Sequence, residues 1–161
     1  LSDAKLTGVD LSGKDLTGTI LTGADLSGVD LSGVNLTGTV LASVDLSGMD
    51  LTGTILTEAD LTGANLTGFD FSGKDLTGMI LVSADLSNSN LIDTNFTNAN
   101  LKNTNLRHAL LVDTNLTNAI LTDSDLSNAV LTSAILTGAN LENAVLTNTI
   151  LNCIDHPICI N

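Results

Sequence analysis

Two thiols, four evenly spaced carboxylates and seven evenly spaced hydroxyls are the groups in this chain whose types and spacing could do chemistry. Cys153 and Cys159 lie six residues apart around Pro157, the single proline. They could close a disulfide across a turn, remain reduced structural thiols, or join Asp155 and His156 on a metal ion. The metal reading is weak, because four ligands within seven residues rarely reach tetrahedral geometry. A disulfide implies an oxidising compartment such as the periplasm or thylakoid lumen, whereas free thiols fit the cytoplasm.

The carboxylates are Asp10, Asp30, Asp50 and Asp70, each 20 residues from the next. If the fold stacks such residues ~5 Å apart, like charges repel by roughly 1 kcal/mol in water and more against protein. Raised pKa values or bound cations are then expected. The column is either a solvated acidic face or a strip imitating a nucleic-acid backbone. It ends at Asn90, Leu110, Val130 and Ile150, so any strip belongs to the N-terminal half. The hydroxyls are Thr17, Thr37, Thr57, Thr77, Thr97, Thr117 and Thr137. Such a ladder reflects β-propensity or, more sharply, orders water as in an ice-binding surface. No second ladder of equal regularity lies beside it. A third column, Ile20, Val40, Ile80 and Ile120, is interrupted by Asp60 and Asn100; it reads as strand formers or as a lateral contact patch. Lys14 and Lys74 recur at one otherwise small position, each before an aspartate (Asp15, Asp75), and are expected to snorkel and pair locally.

Enzymatic signatures are lacking. Every glycine falls on one position of a five-residue period, so a G-x-G nucleotide fingerprint cannot form. The only histidines are His108 and His156. A Ser/His/Asp set can be assembled on paper, but nothing implies a concave pocket to house it. No cofactor is implied. The Asn-x-Thr triplets at Asn35, Asn65, Asn95 and Asn115 are by-products of the repeat.

What must position these columns is the repeat itself. Leu or Phe recurs every fifth residue from Leu1 to Leu151, at 31 positions, 29 of them Leu and the others Phe71 and Phe96. Five residues on an α-helix overshoot one turn by about 140°, which scatters the leucines around the helix. On a strand, an odd period alternates faces. A chain that turns a corner every five residues gathers them instead, so that four sides make a 20-residue coil and coils stack at roughly 4.8 Å. The residue two before each Leu is mostly small and fits a second inward site, although Met49, Phe69 and Met79 show that it accepts bulk. The residue two after is Gly, Asn or Asp at 25 of the 31 positions, and all 14 glycines lie there. Those types tolerate the positive φ of a tight corner. Past residue 78 the corner is Gly only at Gly138 and mostly Asn or Asp, without a slip in register, so no domain boundary is read there.

The motif A-(D/N)-L-(S/T)-G, as in Ala24-Asp25-Leu26-Ser27-Gly28 and Ala64-Asn65-Leu66-Thr67-Gly68, resembles the pentapeptide-repeat family. The resemblance covers about residues 1–152 and implies an all-β, right-handed quadrilateral β-helix. Residues 1–152 are read as this solenoid and 153–161 as a C-terminal cap or tail. Leu1 is already in register and no Met precedes it, so the chain is expected to be a mature or trimmed fragment, or to have its first coil covered by another copy, which allows an end-to-end homodimer.

The net charge is −13, with 18 acidic residues against 5 Lys plus Arg. Direct nucleic-acid binding and adsorption to an anionic membrane are therefore disfavoured, and a protein partner with a basic surface is compatible. The positive mean hydropathy reflects the leucine column; no apolar run approaches the ~20 residues of a spanning helix. The expected function is a non-enzymatic interaction scaffold. The resemblance adds a DNA-mimicking, gyrase-binding protein as the alternative, and the Thr ladder adds ice binding.

Overall fold

The computed structural model describes residues 1–46, 49–51 and 53–159. The expected corner Gly48 and the tail residues Ile160 and Asn161 lie outside the described residues. The chain winds as a stack of square coils. Every bridge among the described residues is parallel, and all but one join residues 20 apart, such as Lys5 with Asp25 and Asn90 with Leu110.

The five residues 85–89 show why this sequence closes one side of the square. Ser89 N–H donates to Leu86 C=O at 3.3 Å, closing a turn whose third residue, Asn88, has φ 60°. A bond from residue i+3 to i with positive φ at i+2 is the type II pattern. Asp85 N–H donates to Ala64 C=O in the coil before, and Leu86 and Asn88 N–H donate to Asn105 and Arg107 C=O in the coil after. The remaining donor, Ser87 N–H, has no backbone acceptor within reach and donates at 2.9 Å to the side chain of Asp85. Each buried backbone donor must find a partner, and the Asp or Asn before the leucine supplies one. Positive φ recurs at every described corner from Asp3 to Asn148, including Ser43, Glu58 and His108, which are none of the three favoured types.

The leucines form one continuous core. Leu21 to Leu136, with Phe71 and Phe96, are at most 4% exposed. Each such side chain contributes roughly 1.5–3 kcal/mol of gross burial. The second inward site holds mostly alanines, valines and hydroxyl residues, with Phe69 and Met79 also buried there. Its buried hydroxyls are satisfied by turn carbonyls, as where Thr94 donates to Phe71 C=O and Thr114 to Leu91 C=O, and among the described residues no buried polar side-chain atom lacks a partner. At the two ends, Leu6, Leu11, Leu16, Leu141 and Leu146 are only partly covered.

The ladder continues past Leu151 with a one-residue slip: Ile154 bridges Ile135, 19 residues back. Cys153 thereby enters the core at 3% exposure.

Candidate interaction faces

Asp10 and Asp30 are direct bridge partners, and Asp70 bridges Asn90, from which the same ladder runs through Leu110 and Val130 to Ile150. Asp50 shares one surface hollow of about 580 Å³ with Asp30 and another of about 520 Å³ with Asp70. Met49 lines both hollows, and Phe69, stacked on Phe71 with ring centroids 5.2 Å apart, lines the second. Asp10 and Asp30 are thus in register, and Asp50 neighbours both Asp30 and Asp70.

At Asp10 and Asp70 the electrostatics run against the expected rise. The Asp10 carboxyl is held below the ordinary carboxylate value, not above it, first by the Ser12 hydroxyl and then by the Ser12 N–H, with the Lys14 charge adding to the effect. Asp70 is lowered in the same way by the Ser72 hydroxyl and N–H, and Asn90 and Lys74 add to it. At both sites, two hydrogen bonds to the ionised form outweigh the small cost of desolvating it. Asp30 accepts the Ser32 N–H at 2.8 Å.

The Thr ladder is also in register: Gly18 N–H donates to Thr37 C=O, Gly78 N–H to Thr97 C=O, and Asn98 N–H to Thr117 C=O. Most of its hydroxyls are already committed. Thr17, Thr37, Thr77, Thr97 and Thr117 each donate to the Asp or Asn oxygen two residues back, at 2.5 to 2.7 Å. Thr57 and Thr137 follow Ile55 and Ile135, which offer no such acceptor.

This Asx-type pairing is the element that reading the positions one at a time missed. Asp or Asn before the leucine and Ser or Thr after it form a single unit two residues apart. Their co-occurrence was visible in the repeat. A second feature also went unnoticed: Asn95 and Asn105 donate from their side chains to Asp75 and Asp85, one coil below, at 3.2 and 3.0 Å.

The lysines do not pair with the aspartates that follow them. Lys74 turns its ammonium to Leu51 C=O at 3.1 Å, the same 23-residue step that Thr39 makes to Leu16 C=O, and its charge acts on Asp70. Lys14 is exposed. Cys153 and Cys159 are joined as a disulfide with Cα atoms 4.9 Å apart, which removes both thiols from the alternatives. His156 Nδ1 accepts the Ile158 N–H, and its carbonyl accepts the Cys159 N–H. His108 sits exposed at a corner. The structure thus brings neither histidine into a catalytic set with Ser and Asp. Among the described residues, no helix is long and apolar enough to cross a membrane.

The family model for pentapeptide repeats matches this chain in eight copies, over residues 1–38, 35–73, 75–107 and 109–148. The chain belongs to the pentapeptide-repeat family. Its coil is the family's right-handed quadrilateral β-helix. Among solved pentapeptide-repeat proteins, HetL of the cyanobacterium Nostoc sp. strain PCC 7120, involved in regulating heterocyst differentiation, is 28% identical over 99% of this chain and 92% of its own, with a TM-score of 0.36. Rfr23 of the cyanobacterium Cyanothece 51142 is 26% identical over 96% and 89%, with a TM-score of 0.26. A trypsin-treated form of QnrB1, a plasmid-mediated fluoroquinolone resistance protein, is 18% identical over 93% and 79%, with a TM-score of 0.47. A comparison with curated proteins finds no match.

Proposed function

We propose that this pentapeptide-repeat chain is a non-enzymatic scaffold that offers flat β-faces to a protein partner. The observation that carries this reading is the commitment of its reactive groups. Carboxylates, amides and hydroxyls are engaged in the repeat's own turns, as Asp10 is with Ser12 and Asn35 with Thr37. What varies from side to side is the chemistry of the exposed columns. The Cys153–Cys159 bridge supports an oxidising compartment such as the periplasm or thylakoid lumen.

The test places a photo-crosslinking residue at Ile80, Asp85, Asn90 or Asn95, one on each side of the same coil, and exposes each protein to an extract of its source. Crosslinks to one protein from one side or two adjacent sides are expected. Crosslinks from no side, or equally from all four, reject the scaffold.

The acidic column supports a second reading, a DNA-mimicking partner of gyrase, because donors at Ser12 and Ser72 favour the ionised forms of Asp10 and Asp70. Supercoiling by gyrase that is unchanged by excess protein, with or without a quinolone, removes it. Ice binding is supported less well, since most hydroxyls of the Thr ladder already donate within the chain; a thermal-hysteresis measurement is expected to be null.

A further inference from the structure

One side of the solenoid changes character along its length. From Asp10 to Asp70 its outward column is anionic. Beyond Asn90 it is aliphatic, with Leu110 41% and Ile150 53% exposed and Val130 half-buried between them. The ladder from Asp70 through Asn90, Leu110 and Val130 to Ile150 is unbroken, and the two hollows at Asp50 link Asp70 to Asp30, so both halves share one surface. Ile92 and Val112, two residues on and in successive coils, widen the aliphatic half, and exposed Asp93 and Asp113 rim it. No other side segregates in this way: Ile20, Val40, Ile80 and Ile120 alternate with Asp60, Asn100 and Asn140.

We infer that this side docks a protein segment whose cationic and aliphatic residues occupy successive halves, with the aliphatic half over Leu110, Val130 and Ile150. The inference rests on the scaffold reading and names the partner's chemistry. Contiguous exposed apolar surface with a polar rim marks interaction sites, and charge complementarity selects cations for the other half. A second copy does not fit the full surface. Placed parallel, it would set Asp10 and Asp70 against their own copies; placed antiparallel, it would bury Leu110 and Ile150 against carboxylates. From Asp10 to Ile150 is seven coil steps, roughly 34 Å, the length of a helix of about 22 residues.

The test uses two fluorescent 22-residue helical peptides of one Lys/Leu/Ala composition, one with Lys in the first half and Leu on a face of the second, the other scrambled. Anisotropy is read at low and high salt on the full chain. The segregated peptide is expected to bind at least about tenfold tighter than the scrambled one. Leu110→Ser with Ile150→Ser should weaken it about tenfold at either salt. Asp10→Asn with Asp30→Asn and Asp70→Asn should weaken it at low salt and flatten the salt dependence. Asn preserves the local turn, as Asn35 shows, so a loss there is not misfolding. Ile20→Ser with Ile80→Ser, on another side, should leave binding unchanged. Equal binding of the two peptides, equal losses from both sides, or self-association that Leu110→Ser abolishes overturns the inference. If the peptide fails while the crosslinking residues report a partner on another side, the scaffold survives and this docking surface falls; if no side crosslinks, both fall.

Discussion

Ser12 donates both its backbone N–H and its hydroxyl to one oxygen of Asp10, at 3.0 and 2.6 Å. The same pair of bonds recurs between Thr17 and Asp15, Ser27 and Asp25, and Ser72 and Asp70. The aspartates are thus acceptors for the one N–H that the coil ladder leaves over, a task that the neutral Asn35 performs equally at its own turn.

A pH dependence follows. Asp10, Asp15, Asp25 and Asp70 are all held below their ordinary values, first by the hydroxyl and then by the N–H of the residue two on. A depressed folded-state value means that the stabilisation is complete above the unfolded value near 4 and is lost as pH falls through the lower folded values. Thermal midpoints are therefore expected to be flat from about pH 8 to 5 and to drop below roughly pH 4. Replacing these four aspartates by Asn should keep the midpoint at pH 7 and flatten the acid limb. Replacing them by Ala should lower the midpoint at every pH. An acid limb unchanged in the Asn variant would show that other carboxylates set it.

The corners make a second, independent prediction. His108 holds φ 60° and Glu58 holds φ 59°, where a side chain beyond Gly, Asn or Asp is strained by about 1–2 kcal/mol. Glycine removes that strain at an entropic cost of about 0.5–1 kcal/mol. His108→Gly is expected to raise stability by about 0.5–1 kcal/mol in urea unfolding. Asn98→Val, which puts a β-branched residue at φ 60°, should lower it by at least about 1 kcal/mol. A destabilised His108→Gly would mean that the His108 side chain contributes more than its backbone conformation loses.

The square coil was legible because each five-residue unit repeats the same local solution, so the inward leucines and the left-handed corners could be read off position by position. The columns were legible for the same reason, since a strict 20-residue coil makes spacing equal to stacking. The direction of the Asp10 and Asp70 shifts was not, because repulsion down the column was weighed without the donor two residues along. The Lys74 contact with Leu51 C=O was not legible, because the adjacent Asp75 offers the nearest charge along the chain, whereas the inward site aims at the coil below. The slip that puts Ile154 opposite Ile135 lies where the repeat stops, and periodicity has no purchase there.

The core predicts a gradient along the axis. Leu86 is fully buried with a coil on either side, and Leu86→Ala is expected to destabilise by about 2–5 kcal/mol. Leu6, partly covered at one end of the stack, should lose clearly less on the same change. Because each coil touches only its neighbours, hydrogen exchange in the Leu86→Ala variant should accelerate most in the coils next to residue 86. Uniform acceleration over the whole chain would show cooperativity longer than one coil step.

The tail offers the last test. Cys153 is buried at the end of the leucine column while Cys159 and Ile158 pack against it, so the bridge ties the last turn of chain to the final coil. A loop this short loses about 2 kcal/mol of unfolded-state entropy on closure. Reduction with a dithiol should therefore free the tail and speed exchange at Ile154 N–H, which donates to Ala134 C=O, and at Ser133 N–H, which donates to Asn152 C=O. Exchange at Leu86 and Leu91, several coils away, should be unchanged. Cys159→Ser should reproduce the effect without reductant, because it breaks the bridge while leaving Cys153 to fill its core position. If reduction instead unfolds the chain as a whole, the final coil must stabilise its distant neighbours, and the nearest-neighbour description of this solenoid fails.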